Sequence, residues 1–98
     1  MLVTVASQEA ADATLLEAME DHEHVYRAVH TSGAADRIDD VAVVSRVDGP
    51  NMTLDPAYET TLDRETAREI DWRSAADVQK LPEYWEERYV ARELRAQR

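Results

Sequence analysis

The longest regular pattern of apolar positions lies in residues 7–33. Large side chains recur there at spacings of three and four residues: Leu15, Met19, His22, Tyr26 and Val29. Ser7 stands at an N-cap position before this stripe, and Gly33 follows it as a C-terminal stop. An apolar stripe of this period, with such residues at its ends, predicts one long amphipathic helix. The middle of the stripe is acidic, so the alternative is a helix that bends or ends near Asp21 and resumes after it.

The apolar pattern changes in residues 38–47. The densest β-branched run of the chain lies here and favours a strand: Val41, Val43, Val44 and Val47. Residues 48–51 read Asp-Gly-Pro-Asn, a strong turn signal, and residues 52–54 predict a shorter returning strand. Because a lone hairpin is marginal in water, it must pack on the helix, pair with the β-branched residues 2–6, or join the sheet of a partner.

Two further helices are predicted in the C-terminal half. The first begins at Asp55 and Pro56, an N-cap followed by proline at the first helical position. Its large side chains are spaced four apart: Tyr58, Leu62 and Ile70, with Thr66 between them. The second begins at Pro82 and carries acids early and arginines late, the order that the helix dipole favours. Residues 74–77 between them have the form of a capping box and open a short turn.

These elements predict a single small domain over residues 1–98. The predicted fold class is α+β, mainly helical, with a long N-terminal helix, a short Val-rich β-hairpin and two C-terminal helices. Leu, Ile and Val together make up 19 of the 98 residues, and Phe is missing. A core built from so few large apolar side chains is commonly completed by a partner or by self-association.

The charge of the chain is strongly negative. Asp and Glu number 21 against 11 Lys and Arg, so the net charge is −10, and Lys80 is the single lysine. The acids are spread along the whole sequence, a composition typical of proteins adapted to high salt, in which carboxylates keep the surface hydrated. The alternative is a negative surface that mimics nucleic acid or docks on a basic protein. Direct binding to nucleic acid is disfavoured, because no run of basic residues could neutralise phosphates.

The sequence lacks cysteine, membrane-spanning apolar runs and a basic N-terminal segment, and each absence argues against a class of site or location. Without Cys there are no disulfides, thiolate nucleophiles or Cys-ligated metals. No apolar run is long enough to cross a bilayer, and residues 1–5 lack the basic start of a signal peptide. We therefore expect a cytoplasmic protein without membrane contact.

Three side chains of the long helix have the spacing of a metal site. Glu17, Asp21 and His24 lie at i, i+4 and i+7, on one helical face, and helix-bundle metal sites use carboxylate–histidine pairs of this kind. A solvated acidic face explains the same spacing in so acidic a chain. His22, on the apolar stripe, is interpreted as a hydrogen-bonded core histidine. We predict neither a metal nor a cofactor.

No catalytic signature is present in the sequence. There is no nucleophile-elbow or phosphate-loop spacing, and the adjacent Asp39 and Asp40 would need a cleft to work as acid and base. We therefore expect no enzymatic activity.

Aromatic residues near the C-terminus are candidates for binding a partner. Trp72, Tyr84, Trp85 and Tyr89 stand close to arginines, the composition of a protein–protein hot spot. The alternative is that they form the chain's own core. Val41 and Val43 join the predicted partner-binding residues, because their strand lacks an obvious partner within the chain.

The sequence thus favours a non-catalytic protein–protein interaction protein. It would be a small acidic structural subunit or adaptor of a larger assembly, homo-oligomeric or virion-like, with a protein partner or a second copy as its contact. The alternative is a small acidic regulator that binds a basic protein surface, as nucleic-acid mimics and antitoxins do. A metal-binding helix bundle is the third hypothesis.

Overall fold

The fold joins a strand–helix–strand unit to two further strands. A computed structural model describes residues 2–6, 14–32, 39–48 and 54–97. The elements in these ranges are β1 (Leu2–Ala6), α1 (Leu15–Thr31), β2 (Val41–Asp48), β3 (Leu54–Leu62), α2 (Arg64–Arg68), α3 (Ala75–Gln79), β4 (Glu86–Val90) and α4 (Arg92–Arg95). A single 3₁₀ turn, Leu81–Glu83, precedes β4.

The strands form one mixed sheet in the order β1-β2-β3-β4. β1 and β2 are parallel, and α1 lies between them in the chain, since parallel neighbours need a long crossover connection. β2, β3 and β4 pair antiparallel in succession. Register shifts at residues 45/46 and 59/60 mark β-bulges, which bend and twist the sheet locally.

The long helix predicted from the apolar stripe is present as α1. It begins after Thr14, whose side-chain oxygen accepts a hydrogen bond from the Glu17 amide at 3.1 Å. It runs through Asp21 without a break. The predicted end residues Ser7 and Gly33 lie outside the described residues. Among the helices of the described ranges, α1 included, none has the length and apolar character to span a membrane.

The core lies between α1 and one face of the sheet. Ala18, His22 and Tyr26 face the sheet from α1 and are buried. Strand and C-terminal residues complete the apolar core: Val41, Val43, Ala57, Tyr58, Leu62, Ala67, Ile70, Val78, Leu81, Trp85 and Leu94. The aromatic rings supply much of its volume, which compensates for the small number of leucines and the missing phenylalanine.

The prediction of a mainly helical fold is wrong, and residues 54–62 are the first reason. They form the strand β3, where the sequence predicted the start of a helix at Asp55 and Pro56. Pro56 is tolerated there because it lies beside a β-bulge, where ladder hydrogen bonds are already interrupted. The helix that follows, α2, begins after Asp63, whose carboxylate accepts a hydrogen bond from the Thr66 amide at 2.7 Å.

The predicted last helix is also wrong over most of its length. Pro82 lies within the 3₁₀ turn Leu81–Glu83, and residues 86–90 form β4, which pairs with β3. The hydroxyl of Tyr58 on β3 donates to the carboxylate of Glu87 on β4. The edge of β3 presents backbone N–H and C=O groups that need partners, and β4 supplies them. Only the serine half of the predicted capping box is present: the Ser74 hydroxyl accepts from the Asp77 amide at 3.3 Å, whereas the Asp77 carboxylate accepts from the Asp71 amide at 3.1 Å.

The Val-rich strand is not a short isolated hairpin. β2 pairs with β3 along its length, and its residues 42–46 pair with β1 on the other side. It is an inner strand of the sheet, so its backbone groups are already engaged within the chain. This resolves the pairing of Val41–Val47, which the sequence left open between the chain itself and a partner.

Candidate functional site

A buried polar cluster lies at the centre of the contact between α1 and the sheet. The Nδ1 atom of His22 lies 2.8 Å from Oγ1 of Thr60, and its Nε2 atom lies 2.8 Å from Oγ of Ser45. Oγ1 of Thr60 is also 2.9 Å from the hydroxyl oxygen of Tyr26. All four side chains are buried. We call them the His22 cluster.

Burial determines the protonation state of the cluster. It lowers the pKa of His22 to about 4, and raises the pKa of Tyr26 to about 12. Both side chains are therefore neutral at neutral pH. A neutral imidazole has one donor and one acceptor nitrogen, and the two hydroxyls that flank it can satisfy both.

Ser45 and His22 have the chemical groups of a nucleophile and a general base, but a substrate has no access to them. A substrate would have to reach the Ser45 hydroxyl, which is enclosed between α1 and β2. The second ring nitrogen faces the Thr60 hydroxyl, where a catalytic triad would place a carboxylate. The arrangement supports a structural role: it ties α1 to β2 and β3.

A row of aromatic rings continues the cluster along α1. The His30 ring stacks on Trp72 with 4.5 Å between ring centroids, and Tyr26 lies 5.8 Å from Trp85. Trp72 is held in place by its Nε1 atom, which donates to the carbonyl oxygen of Ala67 at 3.0 Å. Two of the predicted partner-binding aromatics, Trp72 and Trp85, thus contact residues of this chain.

The six predicted partner-binding residues do not form one surface. Val41, Val43 and Trp85 are buried in the core, and Trp72 is half-buried against α1. Tyr84 and Tyr89 are 46% and 47% exposed. A partner could reach these two tyrosines without unfolding the chain. Partner binding itself stays a prediction.

The two exposed tyrosines lie at the side of the sheet opposite α1, which we call the open face. Because side chains alternate along a strand, Ala42 and Val44 of β2 point away from α1 when Val43 points toward it. In register with Val44 lie Thr4 of β1 and Glu59 of β3, and Tyr89 of β4 is the partner of Glu59. A second row across the open face consists of Leu2, Ala42, Thr61 and Glu86.

No helix in the described part of the chain uses the open face for its core contact. The buried residues that the helices contribute to the apolar core lie with the strand residues of the α1 side: Leu15, Ala18, Tyr26, Ala67, Val78 and Leu94. Val44, at the centre of the open face, is buried but does not belong to that core. At the outer strands, Leu2 remains 62% exposed.

A cleft of about 500 Å³ lies at one end of the open face. Its apolar lining includes Leu2, Ala42 and Tyr84. Its charged lining, within the described residues, is Asp40, Asp63, Glu86 and Arg88. We call it the cross-sheet cleft, because residues from all four strands line it.

The charged groups of the cross-sheet cleft are held by short-range contacts. Glu86 and Arg88 form an ion pair at 3.0 Å, and the Asp40 carboxylate accepts from the Arg64 amide at 3.1 Å. The amide of Thr66 donates to Asp63 and lowers the pKa of that carboxyl. Asp63 therefore keeps its negative charge over a wide pH range.

The three residues that the metal-binding hypothesis considered lie on α1. Glu17, Asp21 and His24 are exposed to solvent on the side of the helix away from the sheet. Within the described ranges, no three or more His, Asp or Glu side chains lie close enough together to hold a metal ion. The sequence did not identify Ser45 and Thr60 as partners of His22, since a single hydroxyl on a strand carries no signal of what lies opposite.

The His22 cluster and the open face differ in what they can do. The first is closed to any ligand, and the second presents aromatic, apolar and charged groups to solvent. Of the two, the open face is the one that a ligand or partner can reach. Comparisons with protein-family models, with curated proteins and with solved structures found no match to this chain.

Proposed function

We propose that this protein is a non-catalytic protein–protein interaction module that binds a partner through the open face of its sheet. In this role it is a small acidic subunit or adaptor of a larger assembly in the cytoplasm. The observation that carries the proposal is the exposure of Tyr84, Tyr89 and Leu2 beside the open face. Large apolar and aromatic side chains grouped on a surface mark interaction sites.

The composition of this surface suits an interface. Tyr84 and Tyr89 each combine an apolar ring with a hydroxyl, and Arg88 stands between them in the chain. Tyr and Arg are enriched among the residues that contribute most to binding energy at protein interfaces. A tyrosine orders only two side-chain torsions on binding, so it contributes contact area at a small entropic cost.

The buried His22 cluster supports a binding role over a catalytic one. The Ser45 hydroxyl and the His22 imidazole satisfy each other inside the core, where no substrate reaches them. The open face carries carboxylates, an arginine and tyrosines, with no activated nucleophile among its described residues. These groups bind and orient a partner by shape and charge.

A second candidate function is a regulator that binds a basic protein surface. The observation that favours it is charge: the chain carries −10 overall, and Asp40, Asp63 and Glu86 outnumber Arg88 in the cross-sheet cleft. The two candidates differ in salt dependence. Charge-driven binding weakens as salt rises, whereas binding by apolar contact is little affected or strengthened.

The experiment compares capture of partners by matched variants. Tagged wild-type chain is cross-linked in extracts of its source organism beside Tyr84→Glu, Tyr89→Glu and the control Leu16→Glu. Leu16 is 66% exposed on α1 and so receives the same charge at a site remote from the open face. Light scattering of the pure proteins reports self-association, and thermal unfolding checks that each variant is folded.

We expect the wild type and Leu16→Glu to capture the same partner, or to form the same oligomer, and the two tyrosine variants to lose it. Loss at high salt would favour the regulator, and persistence would favour the subunit. A wild-type chain that is monomeric and captures nothing would contradict the proposal. Equal capture by all four proteins would also contradict it, because the open face would then play no part.

A further inference from the structure

The two outer strands of the sheet differ in how their edges are protected. Among the described residues, β1 pairs only with β2 and β4 only with β3, so each strand turns its other edge outward. Proteins keep such edges from pairing with other chains by means of charged side chains, prolines and β-bulges. The β4 edge has two of these devices: Glu86, Glu87 and Arg88 are charged and exposed, and a bulge interrupts its pairing with β3.

The β1 edge has none of these devices. The strand reads Leu-Val-Thr-Val-Ala, with neither a charge nor a proline. Its pairing with β2 runs in unbroken register from Leu2 opposite Ala42 to Ala6 opposite Arg46. Three of its five residues are β-branched and favour the extended backbone of a strand. The outer edge of β1 is therefore a template for one more strand.

Charge is distributed unevenly across the sheet. The paired residues of β1 and β2 include one charged side chain, Arg46, whereas those of β3 and β4 include Glu59, Glu86 and Glu87. Like charges directly opposite each other destabilise a strand pair. A symmetric pair of β4 strands centred on its middle residue would set Arg88 against its own counterpart. Of the two edges, β1 is the one at which two copies of net charge −10 meet without opposed charges.

We infer that two copies of this protein pair through the outer edge of β1, antiparallel and centred on Thr4. A two-fold axis brings identical edges together in opposite directions, and centring on the middle residue engages the whole strand. Thr4 then stands opposite its own counterpart, and threonine pairs across strands are favourable. The inference goes beyond the proposed function, because this second contact site leaves the open face uncovered.

The pairing would make one eight-stranded sheet from two copies. A two-fold axis perpendicular to the sheet keeps both α1 helices on one side, so the two open faces join on the other. The row of Tyr89, Glu59, Val44 and Thr4 continues across the axis into the same row of the second copy. With strands about 4.8 Å apart, the two Tyr89 positions lie roughly 34 Å from each other. A partner with two binding segments would engage both copies and gain avidity.

The net charge restrains this pairing at low salt. Two copies of −10 repel each other over a distance of about 10 Å at 0.1 M salt, and of about 3 Å at 1 M. Added potassium chloride removes that repulsion and leaves the uncharged strand contact in place. We therefore expect the dimer to strengthen as salt rises, whereas binding of a cationic partner would weaken. Because a five-residue strand makes a small interface, the dimer should be a weak one.

The test is sedimentation velocity over a range of protein and potassium chloride concentrations. It compares wild type, Thr4→Lys, Thr4→Glu and an equal mixture of these two variants. Leu16→Lys and Leu16→Glu, alone and mixed, are the matched control, because Leu16 is 66% exposed on α1 and lies outside the strand pair. Thermal unfolding checks that each variant is folded.

We expect the wild type to shift from monomer to dimer as salt rises. At the salt concentration where it is half dimeric, each Thr4 variant alone should dimerise about fivefold more weakly, since like charges stand opposite each other. The mixture should recover wild-type association, because Lys then faces Glu. Such recovery requires position 4 to face itself and does not follow from misfolding. The Leu16 variants should behave as wild type in every combination.

A single cysteine tests the register independently, since the chain has none of its own. Thr4→Cys should form a disulfide-linked dimer on mild oxidation, because residues directly opposite in an antiparallel pair are close enough for one. Leu2→Cys should not, since the same register places it roughly 14 Å from its counterpart.

Three outcomes would overturn the inference: a wild type that is monomeric at every salt concentration, a dimer that the Thr4 variants leave intact, or no recovery in their mixture. The proposed function has a separate test, because Tyr84→Glu and Tyr89→Glu leave β1 unchanged. If they lose their partner while the wild type stays monomeric, the proposed function stands and this inference fails. If they lose nothing while the Thr4 variants abolish the dimer, the reverse holds.

Discussion

The Nε2 atom of His22 lies 2.8 Å from the Oγ atom of Ser45, which joins the middle of α1 to the inner strand β2. The other ring nitrogen lies 2.8 Å from Thr60 on β3, so one side chain connects the helix to two strands. A polar group buried without a partner destabilises a fold, whereas a satisfied one specifies a single arrangement. The His22 cluster therefore sets the register of α1 against the sheet.

Removal of the His22 ring should destabilise the protein strongly. His22→Ala leaves a cavity and removes the imidazole partner of two buried hydroxyls, of which Thr60 still has Tyr26, so we expect a loss of about 3 kcal/mol in the free energy of unfolding. Urea denaturation measures it. The control is His24→Ala on the exposed side of the same helix, for which we expect a change within about 0.5 kcal/mol. Equal effects of the two substitutions would contradict the role assigned to the cluster.

The same histidine should make stability depend on pH. Burial lowers the pKa of His22 from 6.5 to about 4, so the unfolded chain binds a proton at a higher pH than the folded chain does. Stability therefore falls as the pH drops from 6.5 toward 4, by at most about 3 kcal/mol, and this contribution is constant below that range. Urea titrations of wild type and His22→Gln over this range measure it.

The difference in unfolding free energy between wild type and His22→Gln reports on His22 alone, because the carboxylates titrate in both proteins and cancel. We expect the stability advantage of wild type over His22→Gln to shrink as the pH falls. A difference that is constant with pH would show that His22 is not protonated on unfolding. The half-buried His30, whose pKa is also lowered by burial, remains in both proteins and cancels.

His30 should respond to substitution in the opposite way to His22. Its ring stacks on Trp72, and its Nε2 atom is buried with no hydrogen-bond partner in the described part of the chain. His30→Phe keeps an aromatic ring for the stack and removes a polar atom that gains nothing from burial. We expect unfolding free energy to be unchanged or raised by about 1 kcal/mol, as measured in urea. A large loss would mean that this nitrogen has a partner.

The capping hydrogen bond of α3 should contribute measurably to stability. The Ser74 hydroxyl accepts from the amide of Asp77, one of the helix N–H groups without an intrahelical partner. Ser74→Ala should cost about 1 kcal/mol in thermal or urea unfolding, and Ser74→Asp should restore most of it, because aspartate also accepts this bond. Failure of Ser74→Asp to recover stability would point to packing of the serine instead of capping.

Stability should also rise with salt. At a net charge of −10 the folded chain brings carboxylates together, and added potassium chloride screens their repulsion. We expect the midpoint of thermal unfolding to increase steadily with salt concentration. The matched control is the double variant Glu17→Gln with Glu20→Gln, which should unfold at a higher temperature in low salt and gain less from added salt. No change with salt would argue against the high-salt interpretation of the composition.

Elements with strong local signals could be predicted from the sequence alone. The stripe that contains His22 and Tyr26 repeats at helical period, and the structure buries that face in α1. The valines at 41–47 favour a strand through their branched side chains, and β2 contains them. The Ser74 hydroxyl caps the amide of Asp77, three residues further along the chain. In each case the information lies within one element.

Other elements became clear only in the tertiary structure. Tyr58 and Leu62 are four apart, and that spacing puts two side chains on one face of a helix or of a strand. Thr60 between them is polar although it lies on the buried face, so the sequence lacks the regular alternation of apolar and polar residues that marks a strand. In the fold, His22 lies opposite Thr60 and forms a hydrogen bond with it. Residues 86–90 show no alternation, and they form β4 because β3 offers an edge to pair with.

The tertiary structure also determined which aromatic residues lie on the surface. By composition Tyr84, Trp85 and Tyr89 are equivalent candidates for core or interface, and the structure encloses Trp85 while it exposes the two tyrosines. Local sequence determines where a helix can begin and which residues prefer a strand, because those preferences depend on near neighbours. Strand pairing and burial depend on residues far apart in the chain, as Ser45 and Thr60 are from His22, and only the folded chain brings them together.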